Sequence, residues 1–144
     1  MEQQQTEKKI IGRLEYVDIP EFSLFKVIAK VDTGAYNGTI SASSIVEFEK
    51  DGNKFIKFIL FDEKHPLYTG VYIETDKFFK KKITSSNGVA QERYAIPVKI
   101  RLKDITLNAV LSLSNRKKMR HSILLGRKIF KKYFLVDASK KFTD

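Results

Sequence analysis

The chain has 144 residues, of which 42% are hydrophobic and 12% aromatic, a composition that suits one domain with a buried core. It has no cysteine, which excludes disulfides and thiolate metal sites. Its 27 lysine and arginine residues outnumber 17 aspartate and glutamate residues, and the net charge of +10 favours acidic partners. No apolar run approaches the roughly 20 residues of a membrane span, and the first nine residues lack the apolar stretch of a signal peptide. We therefore expect a cytoplasmic protein that does not enter a membrane.

The chain divides into a flexible tail, residues 1–9, and a single domain, residues 10–144. Most of the domain consists of short β-rich runs separated by turn residues, which predicts an all-β barrel or sandwich. The predicted strands are residues 10–18, 24–31, 44–49, 54–61, 71–75, 78–85, 92–102 and 105–113. Only residues 127–133 have helical spacing. Pro97, which lies inside a strand pattern, predicts an edge position or a bulge.

The triplet Asp32-Thr33-Gly34 directly follows the apolar run 27–31. A carboxylate presented at the end of a strand, beside a hydroxyl and a glycine that lets backbone approach closely, is how aspartic peptidases hold their catalytic group. The same triplet is also an ordinary turn sequence. Alone it is therefore a weak indication of catalysis.

A hairpin is predicted around residues 84–89, because Asn87-Gly88 is a strong signal for a type I′ turn between two strand-like segments. Such a hairpin could be a mobile flap over a substrate or an ordinary surface hairpin. Further along, Ile123-Leu124-Leu125-Gly126-Arg127 reads as a buried strand that ends at a glycine and precedes a short helix. The order of triplet, hairpin and apolar-Gly-Arg strand is similar to that of one retropepsin subunit.

The whole pattern resembles a bacterial retropepsin-like family labelled ATP-dependent zinc proteases, which includes the RimB-type peptidases that accompany RimK-type ATP-grasp ligases. The matching segments are residues 11–13, 15–17, 19–21, 28–35, 41–42, 85–88, 92–94, 115–116, 119–121, 123–127 and 134–137. The chain departs from the family at Tyr36-Asn37-Gly38, where Arg-Thr-Ser is usual, and at Ser122, where proline is usual. Viral retropepsins have an aspartate at the position of Tyr36 that pairs with the arginine of the closing strand, so the role of Arg127 is open.

The resemblance implies an all-β, retropepsin-like closed barrel with one short C-terminal helix. It also implies an aspartic-type peptidase. No cofactor is expected, because the sequence lacks both zinc-ligand spacing and a Gly-rich phosphate loop. Because one chain has a single Asp-Thr-Gly, and the chemistry needs two carboxylates that share a proton, a homodimer with Asp32 from each chain at the axis is expected. Asp32, Thr33 and Gly34 are then the catalytic residues, and Ala35 shapes the floor of the site.

RimB-type relatives are associated with glutamate chains added by ligases, so the resemblance implies an acidic peptide substrate and a functional link to an ATP-grasp ligase. Arg93, Arg116 and Arg120 are candidate ligands for carboxylates, since a guanidinium binds them through two hydrogen bonds. Asn87 and Gly88, at the flap tip, are the remaining candidate substrate contacts. Each arginine has an alternative structural role, such as an ion pair between Arg93 and Glu92.

Two other functions fit the sequence. A non-catalytic retropepsin-fold module could use its basic face to bind an acidic partner; no nucleic-acid module is recognisable, which makes nucleic acid a less favoured partner. A zinc peptidase would need three ligands, but His65 and His121 are far apart and lack the His-Glu-x-x-His spacing. Both histidines are therefore assigned structural or solvent-exposed positions, and no metal site is predicted.

Overall fold

The computed structural model describes residues 7–84, 88–115 and 120–144, with backbone only at residues 83 and 84. Within these ranges the chain forms eleven strands, one turn of 3-10 helix and one short α-helix. The strands are β1 (Lys9–Ile11), β2 (Leu14–Ile19), β3 (Leu24–Val31), β4 (Gly38–Lys50), β5 (Asn53–Leu60), β6 (Tyr72–Thr75), β7 (Phe79–Thr84), β8 (Ala90–Leu102), β9 (Ile105–Ser114), β10 (Ile123–Leu125) and β11 (Phe134–Val136). The 3-10 turn is Pro20–Phe22, and the helix, α1, is Arg127–Phe130.

Six strands close into a barrel. The hydrogen-bonded order runs β10, β3, β2, β8, β9 and β4, and β4 pairs again with β10. This circuit confirms the predicted all-β closed barrel. The short strand β10 completes it because it lies parallel to β3 on one side and antiparallel to β4 on the other.

Two extensions project from the barrel. β4 pairs with β9 as far as Ser41 and with β5 from Ala42, with a register shift between Ser43 and Val46, and β5 in turn pairs with β6. The other extension is the β7–β8 hairpin, in which β7 pairs with the first half of β8. The predicted strand 44–49 therefore begins six residues earlier, at Gly38. The sequence did not indicate this start, because glycine and serine have a weak preference for strands. Pairing with β9 and β10 overrides that preference.

The core fills the barrel with aliphatic side chains from alternating strand positions. On β3, for example, Leu24, Val27, Ala29 and Val31 are buried. Pro97 pairs with Val110 of β9, while the other side of β8 is bonded to β7 only as far as Ala95 and to β2 only from Arg101. The proline therefore occupies a local edge, where its missing N–H costs no hydrogen bond.

The first predicted strand, residues 10–18, is divided at Gly12. A side-chain carbon on Gly12 would lie 2.3 Å from the carbonyl oxygen of Lys140, so the two backbones touch there. Nearby, the buried Glu15 carboxylate accepts hydrogen bonds from the Gly12 N–H at 2.7 Å and from the Thr143 hydroxyl at 2.5 Å. The Lys103 ammonium lies 3.6 Å from the same carboxylate. Glu15 thus holds the C-terminal segment against the barrel.

The predicted helix is shorter than expected, four residues in place of seven, and the chain continues into β11, which pairs in parallel with β1. The sequence did not predict β11, because three residues are too few to show a period. Among the described residues, no helix combines the length and apolar character needed to cross a bilayer.

Candidate active site

Asp32 directly follows β3, and its backbone is attached to the neighbouring strand. Its N–H donates to the carbonyl oxygen of Leu125 at 2.9 Å, which continues the parallel pairing in which Leu125 lies opposite Val31. The Asp32 side chain is half-buried, whereas Thr33 and Gly34 are exposed. The barrel therefore fixes the carboxylate at a position that solvent can reach.

The Asp32 loop, residues 32–37 between β3 and β4, turns back on the carboxylate. The Gly34 N–H donates to Asp32 Oδ1 at 3.0 Å, and the Ala35 N–H donates to the Asp32 carbonyl oxygen at 3.3 Å. A side-chain carbon on Gly34 would lie 3.3 Å from Asp32 Oδ1, so a larger residue would crowd the carboxylate. These contacts fix the orientation of the carboxylate through Oδ1. No hydrogen bond to Oδ2 is found among the described residues, so this oxygen could meet a water molecule or a second carboxyl group.

Gly126 brings the end of β10 against the same loop. A side-chain carbon there would lie 2.3 Å from the Asn37 carbonyl oxygen and 2.5 Å from that of Tyr36. Two hydrogen bonds hold this contact: the Arg127 N–H donates to the Ala35 oxygen at 2.8 Å, and the Lys128 N–H donates to the Tyr36 oxygen at 3.0 Å. The start of α1 thus braces the Asp32 loop through backbone alone.

The Arg127 side chain also binds the loop. Its Nη1 donates to the Thr33 carbonyl oxygen at 2.9 Å, and its guanidinium carbon lies 5.8 Å from the centre of the Tyr36 ring. The Lys131 ammonium lies 5.5 Å from the same ring. Cation–π contacts with Tyr36 therefore replace the ion pair that viral retropepsins form between an aspartate at this position and the arginine of the closing strand. The sequence did not identify a partner for Arg127. Lys131, four residues later, lies on the same side of the helix and contacts the same Tyr36 ring.

The predicted hairpin is formed by β7 and β8, which are paired as far as Thr84 and Ala90. Its tip residue Asn87 lies outside the described residues. Gly88 is exposed and has a φ of +82°, a left-handed conformation that glycine adopts without strain. The sequence therefore placed the hairpin correctly along the chain.

An unforeseen cluster anchors the hairpin to β4. The Glu47 carboxylate accepts a hydrogen bond from the Tyr94 hydroxyl at 2.9 Å and lies 2.8 Å from the Lys80 ammonium. The hydrogen bond to Lys80 lowers the pKa of Glu47, and the bond to Glu47 raises the pKa of Tyr94. These residues come from three strands and carry no motif, so only the folded chain reveals them.

Arg93 and Arg120 line separate cavities. Arg93 lies with Asn115 in a cavity of about 280 Å³ between the hairpin, β4 and the end of β9. Its guanidinium is 3.5 Å from the Gln91 side-chain oxygen. Arg120 lines another cavity of about 570 Å³, together with both histidines. Arg116 lies outside the described residues.

Protein groups hold the His65 ring, and both histidines have lowered pKa values. The His65 ring stacks on Phe61 with centroids 3.9 Å apart, its Nδ1 accepts the Leu67 N–H at 3.0 Å, and its Nε2 is 3.2 Å from Ser122 Oγ. Burial lowers the pKa of His65; burial and the positive charge of Arg120 lower that of His121. No group of three potential metal ligands occurs among residues 7–84, 88–115 and 120–144.

This chain forms a closed six-strand barrel that presents Asp-Thr-Gly beside an apolar-Gly-Arg strand, with a hairpin between the two motifs in the sequence. That arrangement defines the retropepsin-like class. The chain belongs to the RimB-like family, described as the retropepsin-like aspartic endopeptidase RimB, whose model matches residues 10–144. The match confirms the resemblance inferred from the sequence.

The chain is also similar to proteins named probable alpha-L-glutamate ligase. It is 33% identical over 139 residues to the one from Shewanella pealeana, covering 94% of this chain but 30% of that protein. It is 30% identical over 136 residues to the one from Parasynechococcus marenigrum, covering 92% of this chain and 28% of the relative. The chain thus spans less than a third of the length of these relatives.

A solved structure has the same fold. The crystal structure of a Legionella pneumophila protein of unknown function superposes with a TM-score of 0.75 at 27% identity. The superposition covers 95% of this chain and 98% of that protein. The barrel and its extensions therefore form nearly the whole of a separately crystallised chain.

Proposed function

We propose that this chain is an aspartic endopeptidase whose catalytic dyad forms between the Asp32 side chains of two copies. The observation that carries the proposal is the Asp32 loop, in which the Gly34 N–H holds one oxygen of a half-buried carboxylate at the end of β3. Membership of a family named for aspartic endopeptidases supports the same activity.

The proposed reaction needs the two carboxyl groups in different protonation states. Two carboxylates close together cannot both ionise readily, so their apparent pKa values separate and they share one proton. The ionised group takes a proton from water while the water oxygen attacks the peptide carbonyl carbon. The protonated group donates a hydrogen bond to the carbonyl oxygen. Collapse of the tetrahedral intermediate breaks the C–N bond, and the amine nitrogen leaves with a proton from the dyad.

This mechanism predicts a homodimer, because each chain supplies one Asp-Thr-Gly. Sedimentation velocity at micromolar concentration should give about twice the 16.6 kDa mass of one chain. The same samples should be assayed for hydrolysis, so that mass and activity are compared at one concentration. A particle that stays monomeric throughout and is fully active would contradict the shared dyad.

The proposed substrate is a glutamate-rich peptide or a poly-glutamate extension, linked to the product of an ATP-grasp ligase. Relatives named as glutamate ligases support this link, as does the net charge of +10. Arg93 supports it locally, because it lies half-buried in the cavity beneath the hairpin. Asn87, Gly88 and Arg116 are proposed to complete the substrate contacts, and Ala35 to form the floor.

We expect cleavage of Glu-rich peptides to exceed that of matched neutral and Lys-rich peptides, and to weaken as salt rises. Exposed charges are screened over about 8 Å at physiological ionic strength, so added salt reduces the attraction. Arg93→Ala should raise KM for the Glu-rich peptide about threefold or more with little change in kcat, as for a contact equal in ground and transition states.

Arg101→Ala is the matched control, since Arg101 is exposed at the opposite end of β8 from Arg93. It removes the same charge without touching the hairpin cavity. If both variants raise KM equally, the effect belongs to net charge. If all three peptides are cleaved equally at every salt concentration, the basic surface has no part in substrate selection.

A further inference from the structure

A second cavity lies at the far end of β10 from the Asp32 loop. It encloses about 570 Å³ between the start of β3, the 62–67 loop and the segment that leads into β10. Asp32 lies four positions after the lining residue Ile28 along an extended strand, which is about 13 Å at the usual rise per residue. A small ligand in this cavity would therefore not touch the Asp32 carboxylate.

The lining of this cavity is basic. Lys26, Lys64 and Arg120 contribute three cationic side chains, and Asp62 is the one acidic residue among the described residues that line it. Asp62 already accepts the backbone N–H of Lys64 at 2.8 Å. The positive field is also felt by His121, whose pKa is lowered by burial and then by Arg120 and Lys30. The charge in the cavity therefore attracts an anion.

His65 and Ser122 add a directed hydrogen-bond donor. Because a backbone N–H can only donate, His65 Nδ1 must accept from Leu67, and neutral imidazole then carries its proton on Nε2. The 3.2 Å contact is therefore a donation from His65 to Ser122 Oγ. The Ser122 hydroxyl keeps its own hydrogen for another acceptor. The same tautomer prevents His65 from activating Ser122 as a nucleophile.

We propose that this cavity binds an oxyanion, a carboxylate or a phosphate group, with Arg120 as the charged ligand and the Ser122 hydroxyl as a neutral donor. A guanidinium supplies parallel donors to either group, and a hydroxyl can donate to a third oxygen lone pair. One of the two departures from the family, Ser122, falls inside this site. The proposal does not depend on peptidase activity.

The test is an NMR titration of the His65 and His121 ring signals with inorganic phosphate and, separately, with tri-glutamate. We expect saturable shifts below roughly 10 mM with at least one probe. Arg120→Gln should weaken binding roughly tenfold or more, because it removes a charged hydrogen bond. Ser122→Ala should weaken it by a smaller factor. Tighter binding of phosphate would assign a phosphoryl ligand, and tighter binding of tri-glutamate an acidic peptide.

Arg101→Gln is the matched control, since it removes a guanidinium from an exposed position on β8. It should change the affinity by less than about twofold if the site is local. Equal weakening by Arg101→Gln and Arg120→Gln would overturn the proposal, because the binding would then reflect net charge alone. Shifts that stay linear in concentration for both probes would overturn it as well.

Discussion

Asp32→Asn is expected to reduce hydrolysis at least 100-fold while leaving the barrel folded. The asparagine oxygen can still accept the Gly34 N–H, so the loop keeps its local hydrogen bond. The amide cannot take or share the proton, and general acid–base catalysis by a positioned group contributes about 100- to 10,000-fold. Peptide hydrolysis should be compared with the free energy of unfolding, which we expect to change by less than about 1 kcal/mol.

Asp137→Asn provides a control with the same chemistry. Asp137 Oδ1 accepts the N–H of Ser139, two residues later, as Asp32 Oδ1 accepts that of Gly34. This variant should stay active, because Asp137 belongs to the C-terminal segment and not to the Asp32 loop. Full turnover by purified Asp32→Asn would exclude Asp32 as the catalytic group. Loss of wild-type activity with a chelator, restored by zinc, would favour a metal-dependent hydrolase.

Much of the barrel could be predicted because its strands carry local signals. The predicted strand 24–31 coincides with β3, and the predicted strands 92–102 and 105–113 correspond to the paired strands β8 and β9. The early start of β4 at Gly38 and the existence of β11 could not be predicted. Both depend on partners distant in sequence, β9 and β10 for β4 and β1 for β11. Local propensity contains no information about such pairing.

The candidate site divides in the same way. The Asp32 loop and its neighbour β10 were recognisable because each is a contiguous motif. The contact between Arg127 and Tyr36 and the Glu47 anchor of the hairpin join residues that are 91 and 47 positions apart, respectively. The sequence made Arg93 and Arg120 candidate ligands for the carboxylates of a substrate, and the structure shows that they line different cavities. The net charge of a sequence indicates how strongly a protein attracts acidic partners, but not where on its surface the charged side chains lie.

Gly126→Ala is expected to destabilise the fold by about 3 kcal/mol, which corresponds to a fall in melting temperature of about 10 °C. The added carbon would meet the Asn37 carbonyl oxygen at 2.3 Å and the Tyr36 carbonyl carbon at 2.5 Å. Neither can move cheaply, because hydrogen bonds from the Arg127 and Lys128 N–H groups hold this backbone against α1. Denaturant unfolding of the purified variant measures the change.

Gly34→Ala separates this packing effect from an effect on the carboxylate. Its added carbon would meet Asp32 Oδ1 alone, at 3.3 Å, from an exposed position. We expect it to cost less than about 1 kcal/mol of stability but to lower kcat, because the carboxylate must turn away from the new methyl group. Gly126→Ala should instead lower the free energy of unfolding, and its activity should fall because the Asp32 loop is held less firmly. If Gly126→Ala unfolds like the wild type, the close packing of β10 against the Asp32 loop is wrong, and with it the account of how the barrel holds the carboxylate in place.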